Sequence, residues 1–83
     1  MEIFYSKRFL RSFKKLPNYI KDKLEEKEGI IIKDIFSSSL KTHKLNGMFE
    51  GFYAFSVDYK NRVIFEIVDG NIVFYDVGDH DIY

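Results

Sequence analysis

Eighty-three residues, 46% of them hydrophobic and including nine Phe and six Tyr, suffice for one domain with one packed core, near the small end of what folds alone. The absence of cysteine excludes disulfides and thiolate metal sites. The opening MEIFYSKRFL is charged and lacks a signal-peptide apolar region, and no apolar run approaches the roughly 20 residues of a bilayer span, so a soluble cytoplasmic protein with no membrane partner is expected.

Thirteen Lys/Arg balance thirteen Asp/Glu, but unevenly along the chain. Residues 1–45 carry eleven cations against six anions, and residues 46–83 carry two against seven. A basic half can attract nucleic acid, although lysines that merely solvate helix surfaces give the same count.

In chain order, EIFYS (2–6) reads as a short strand. SKRFLRSFKKLP (6–17) reads as a helix with Ser6 as its N-cap. Phe9, Phe13 and Leu16 fall on one face with Leu10 beside them, while Arg8, Arg11, Lys14 and Lys15 face outward. Pro17 ends that helix or opens the next. NYIKDKLEEKEGIIIKDIF (18–36) continues the helical spacing through Ile20, Leu24, Ile31 and Ile35. Gly29 interrupts it at a cost of roughly 1 kcal/mol relative to Ala, and is a point where the helix could divide. SSSLKTHKLNG (37–47) is a polar connection. Beyond it the period changes to two. GFYAFSVD, RVIFEIVD and NIVFYDVG are three strand-like runs, joined by YKN and DGN, both short enough for hairpins. Val63, Phe65 and Ile67 point one way; Arg62, Ile64, Glu66 and Val68 point to a face that is at least partly wet. Helices followed by antiparallel strands define an α+β class.

The two histidines, His43 and His80, lie before the first and after the last strand of the hairpin region. Each is in its plainest reading an exposed loop or strand-end residue. No second His, Cys or carboxylate stands at ligand spacing from His43, so no metal site is expected. Arg62 is either free to meet an anion or salt-bridged to Glu66 or Asp58. Lys41, Lys44 and Lys60 are either solvated or RNA-binding, and Tyr83 is either frayed or a stacking residue. Two imidazoles, an arginine and nearby lysines together suit cleavage of RNA through its own 2′-hydroxyl. That reaction needs a base, an acid and cationic stabilisation of the phosphorane charge.

The order strand–helix–helix–HKLNG–GFYAFSV–RVIFEI–VGDHDIY resembles the RelE/ParE superfamily of bacterial toxins. It is closest to the mRNA-cleaving RelE, YoeB and YafQ types and spans nearly the whole chain. The resemblance implies one domain over residues 1–83, with two N-terminal helices packed on a small curved antiparallel sheet in the order β-α-α-β-β-β. It also implies a toxin of a type II toxin–antitoxin pair, which cuts ribosome-bound mRNA with no cofactor or metal and is silenced by a cognate antitoxin. His43 then stands at the position of a general base, Arg62 at that of a phosphate-binding arginine, His80 at that of a general acid and Tyr83 at that of the closing aromatic. Lys41, Lys44 and Lys60 are candidate RNA contacts. The alternatives within the superfamily are a ParE-like toxin that poisons gyrase without catalysis and an inert antitoxin-binding module. The low cation content after residue 45 departs from the dense basic set of RelE itself.

Overall fold

The structure, a computed structural model, describes residues 1–79. The first strand, β1 (Ile3–Tyr5), runs directly into the first helix, α1 (Lys7–Lys14), through Ser6. Ser6 serves both elements. Its backbone N–H donates to Phe74 O at 3.0 Å, its hydroxyl donates to Tyr75 O at 2.7 Å, and its Oγ accepts the Phe9 N–H at 2.9 Å. The expected N-cap therefore also pins the strand-to-helix corner to the sheet.

Pro17 takes the N-cap position of the second helix, α2 (Asn18–Lys33), so of the two expected roles it opens a helix. Gly29 does not divide α2, which is continuous across it. The burial of Ile20, Leu24 and Ile31 along one side outweighs the local glycine penalty.

The sheet contains β2 (His43–Lys44), β3 (Tyr53–Ser56), β4 (Arg62–Val68) and β5 (Asn71–Gly78) as well as β1, in the spatial order β1-β5-β4-β3-β2. The class is α+β as expected, with two differences. The polar connection contributes a fifth, two-residue strand, and β1 pairs with β5 in parallel, so the sheet is mixed rather than wholly antiparallel. The connection between these two parallel strands is long, running through both helices and the other three strands. The expected β4–β5 hairpin turns on Asp69 and Gly70, whose φ angles of 52° and 79° are the positive pair that a type I′ turn demands. A bulge interrupts the β4–β5 ladder. Ile64 pairs with Asp76 and Phe65 with Phe74, leaving Tyr75 as the extra residue.

The main core lies between the helices and one sheet face. Phe9, Ile20, Leu24 and Ile31 meet Phe55, Val63, Phe65, Ile72 and Phe74 there. The Phe74 ring lies 5.3 Å from that of Phe9 and 5.6 Å from that of Phe55, which in turn lies 5.8 Å from Phe65. The opposite face carries a smaller cluster of Leu45, Ala54 and Ile64 under the half-buried Phe49, Phe52 and Tyr75. The face expected to be partly wet is thus dry at its centre, while Arg62 and Glu66 on it are half-buried. No helix among the described residues is long and apolar enough to cross a membrane.

Candidate functional site

His43 opens the edge strand β2 and pairs with Ala54 of β3. Cross-strand partners point to the same side. Because Ala54 belongs to the cluster opposite the helices, His43 lies on that outward face, exposed to solvent. Its Nδ1 is 3.2 Å from the Lys41 carbonyl oxygen. A carbonyl only accepts, so Nδ1 is the donor in this contact, and in the neutral imidazole it is then Nε2 that carries the lone pair a base needs.

Arg62 opens β4 and pairs with Ser56 on one side and Gly78 on the other. Ser56 lies two residues beyond Ala54 on β3, so Arg62 and His43 share the outward face. Ladder spacings put their Cα atoms about 12 Å apart, within reach of two long side chains that converge. The expected alternative of a salt bridge to Glu66 or Asp58 is not what forms. The Arg62 Nη1 donates instead to the backbone oxygens of Asp58 at 2.8 Å and Asn61 at 3.3 Å. Arg8 with Asp76 is the one ion pair between described residues. The Asp58 carboxylate is occupied with the hairpin turn, accepting from the backbone N–H of Lys60 at 2.9 Å and of Asn61 at 2.6 Å. Partial burial pushes that carboxyl up, but the hydrogen bonds from Asn61 and Lys60, with the charge of Lys23, outweigh it and hold Asp58 below its ordinary value. The guanidinium is therefore anchored by neutral backbone oxygens and has no carboxylate partner among the described residues.

The lysines separate. Lys41 lines a concavity of about 270 Å³ together with Arg62, Lys27, Ser56 and Tyr59. Lys44 pairs with Tyr53, whose ring stacks on Phe65 of the main core, so it points to the other side of the sheet. It borders a different hollow beside Asn46, Glu50 and Phe52. Lys60 lies at the β3–β4 hairpin tip and borders a third hollow with Tyr19 and Lys23. His80 and Tyr83 lie outside the described residues. Gly78, the register partner of Arg62, stands two positions before His80 in the sequence.

Sequence reasoning missed three features. Lys27 gave no signal, being one lysine among several on a solvated helix. Tyr59 is an exposed aromatic at a turn between Asp58 and Lys60, stacking on no other described ring. Asp76 is an acid inside the apolar run NIVFYDVG. It is buried, and it accepts from Ser12 Oγ at 2.6 Å, Val77 N at 2.8 Å and Arg8 Nε at 3.0 Å, with the Arg8 guanidinium also 5.4 Å over the Tyr75 ring.

No protein-family model matches the chain, and no curated protein matches it by sequence. Its architecture is nevertheless a known one, that of the small RelE/YoeB/YafQ-type toxins. YafQ from E. coli strain BL21(DE3) superposes with a TM-score of 0.81 at 21% identity, over 96% of this chain and 93% of that one. A YoeB/ParE toxin from Agrobacterium tumefaciens gives 0.83 at 10% identity, over 96% and 99%. The E. coli DinJ–YafQ toxin–antitoxin complex gives 0.78 at 23% identity, over 96% and 92%. Likeness at these identities is a likeness of fold.

Proposed function

We propose that this chain is the toxin of a type II toxin–antitoxin pair and a metal-independent endoribonuclease that cuts mRNA on the ribosome, in the cytoplasm. The observation that carries the proposal is the common outward face of His43 and Arg62, an imidazole whose Nε2 and a guanidinium whose charge meet no partner carboxylate among the described residues. In the proposed reaction His43 Nε2 takes the proton of a 2′-hydroxyl, and the 2′-oxygen attacks the adjacent phosphorus. Arg62 binds the non-bridging oxygens as their charge grows. The bond to the 5′-oxygen breaks, and His80 returns a proton to that leaving oxygen. The products are a 2′,3′-cyclic phosphate and a 5′-hydroxyl. Tyr83 stacks on a base beside the cut. Lys41 contacts RNA next to Arg62, and Lys44 and Lys60 contact it further out. No cofactor takes part.

A solved complex of a toxin with this fold and its antitoxin, DinJ–YafQ, supports a cognate antitoxin as the protein partner here. One similar structure is described as YoeB/ParE, and the balanced net charge suits a protein-directed toxin as well as an RNA-directed one. Gyrase poisoning is therefore the second reading. Induced expression separates the two by primer extension on translated messages. New 5′ ends inside those messages are expected from the parent chain and not from Arg62→Ala. Growth arrest with DNA damage and intact messages would make the protein a gyrase poison, and no effect would make it an inert antitoxin-binding module.

A further inference from the structure

We infer that the concavity beside Arg62 is a flanking phosphate subsite for single-stranded RNA, with Tyr59 as the platform for the adjoining base. The subsite presupposes an RNA-directed protein and adds to it the path of the strand leading away from His43. Three cations enter the concavity from separate parts of the fold: Lys27 from α2, Lys41 from the connection before β2 and Arg62 from β4. The one carboxylate on its lining, Asp58, has its Oδ1 committed to the hairpin. The cavity is therefore cationic, as a phosphodiester requires.

Two details concern Lys27 and Lys41. The Lys27 ammonium donates to Ser39 O at 3.2 Å, which fixes it at the rim and leaves its other N–H donors for a ligand. Lys41 has a φ of 53°, in the left-handed region that non-glycine residues rarely occupy. Its backbone would be better served by glycine, so a lysine there carries a conformational cost that a role for its side chain explains.

The hairpin tip supplies the apolar component. Tyr59 is 87% exposed, stacks on no other described ring and stands on the lining of the same concavity. An exposed aromatic beside several cations is the arrangement that binds single strands by stacking bases and contacting phosphates.

The test uses a fluorescein-labelled, fully 2′-O-methylated RNA hexamer, which lacks the attacking hydroxyl and so reports binding alone. Its affinity for the full chain is followed by anisotropy against salt. Lys27→Ala should weaken binding several-fold and lower the slope of log K against log salt by about 0.7, the loss of one phosphate contact on a single strand. Lys41→Gly should do the same without lowering Tm. Tyr59→Ala should cost roughly tenfold in affinity and leave the slope unchanged. Lys33→Ala removes a charge from the same helix outside the concavity and should change neither quantity. The subsite is overturned if the parent chain does not bind the hexamer. It is equally overturned if Lys33→Ala lowers the slope as much as Lys27→Ala, or if Tyr59→Ala binds like the parent. Failure of the parent to cut messages would refute the nuclease while leaving this binding test readable. Cut messages with unaltered hexamer binding by the variants would refute the subsite alone.

Discussion

Asp76→Ala should be the most destabilising single change among the polar residues. Asp76 is 5% exposed, and its carboxylate accepts three hydrogen bonds. Two of them come from the buried Val77 backbone and from the part-buried Ser12 hydroxyl. A hydrogen bond to a charged group is worth about 1.5–3 kcal/mol, and a donor stranded in the interior adds its own desolvation cost. Losing both therefore costs about 3–5 kcal/mol; the Arg8 contact is on the solvent side and adds little. A chain of this length has a total stability of about 4–12 kcal/mol, so the alanine variant should lose a large share of it. Asp76→Asn keeps an oxygen for Ser12 and Val77 but loses the charge, and neutral hydrogen bonds are roughly half as strong, so its loss should be about half as great. Urea unfolding followed by circular dichroism measures both. At a slope of about 1 kcal/mol per molar, the alanine midpoint should fall by several molar. If both variants lie within about 0.5 kcal/mol of the parent, the network does not hold α1 to β5.

Arg62→Ala should remain folded by circular dichroism while message cleavage falls by about 10²–10³, since one transition-state contact is lost and the oxygens of Asp58 and Asn61 can turn to water. His43→Ala should reduce cleavage by about 10²–10⁴ and shift stability by no more than about 0.5 kcal/mol, because the side chain is exposed; unimpaired growth arrest would remove it from the mechanism. Burial, then the hydrogen bond to Glu28 and its charge, push the Tyr5 hydroxyl from 10.0 up to about 12. A pKa raised on folding gives stability that is complete below pH 10 and lost as pH rises toward 12. Tyr5→Phe should therefore flatten the loss of stability in that window by about 1 kcal/mol, after allowance for the exposure of the ring, and an unchanged alkaline profile would show that the Tyr5–Glu28 bond is not formed in solution.

The architecture was legible wherever local pattern and tertiary packing agreed. Ser6 read as a cap and is one; Asp69-Gly70 read as a hairpin turn and has the two positive φ angles. The parallel pairing of β1 was not legible, because no local pattern in IFY distinguishes a parallel from an antiparallel partner. The outward cluster was hidden because Ile64 alternates with Arg62 and Glu66, and because part of its cover, Phe49, comes from a stretch that gave no strand or helix period. Within the candidate site, chemistry singled out His43 and Arg62, and the β2–β3–β4 register puts them on one face. Lys44 beside His43 in sequence is turned away by the two-residue period of the strand. Lys27 comes from a distant helix, and its approach to Lys41 and Arg62 depends on how α2 lies against the end of the sheet, which no spacing in the sequence encodes.

The most direct test of the central claim is the chemistry of the cut ends. A message cleaved by the purified chain, on ribosomes where they are required, should carry a 2′,3′-cyclic phosphate or a 3′-phosphate upstream and a 5′-hydroxyl downstream. Cutting should stop at a scissile nucleotide that has a 2′-deoxy sugar, and any cutting of free RNA should persist in EDTA. A 3′-hydroxyl with a 5′-phosphate, or continued cutting at the 2′-deoxy position, would contradict attack by the 2′-hydroxyl and with it the roles proposed for His43, Arg62 and His80.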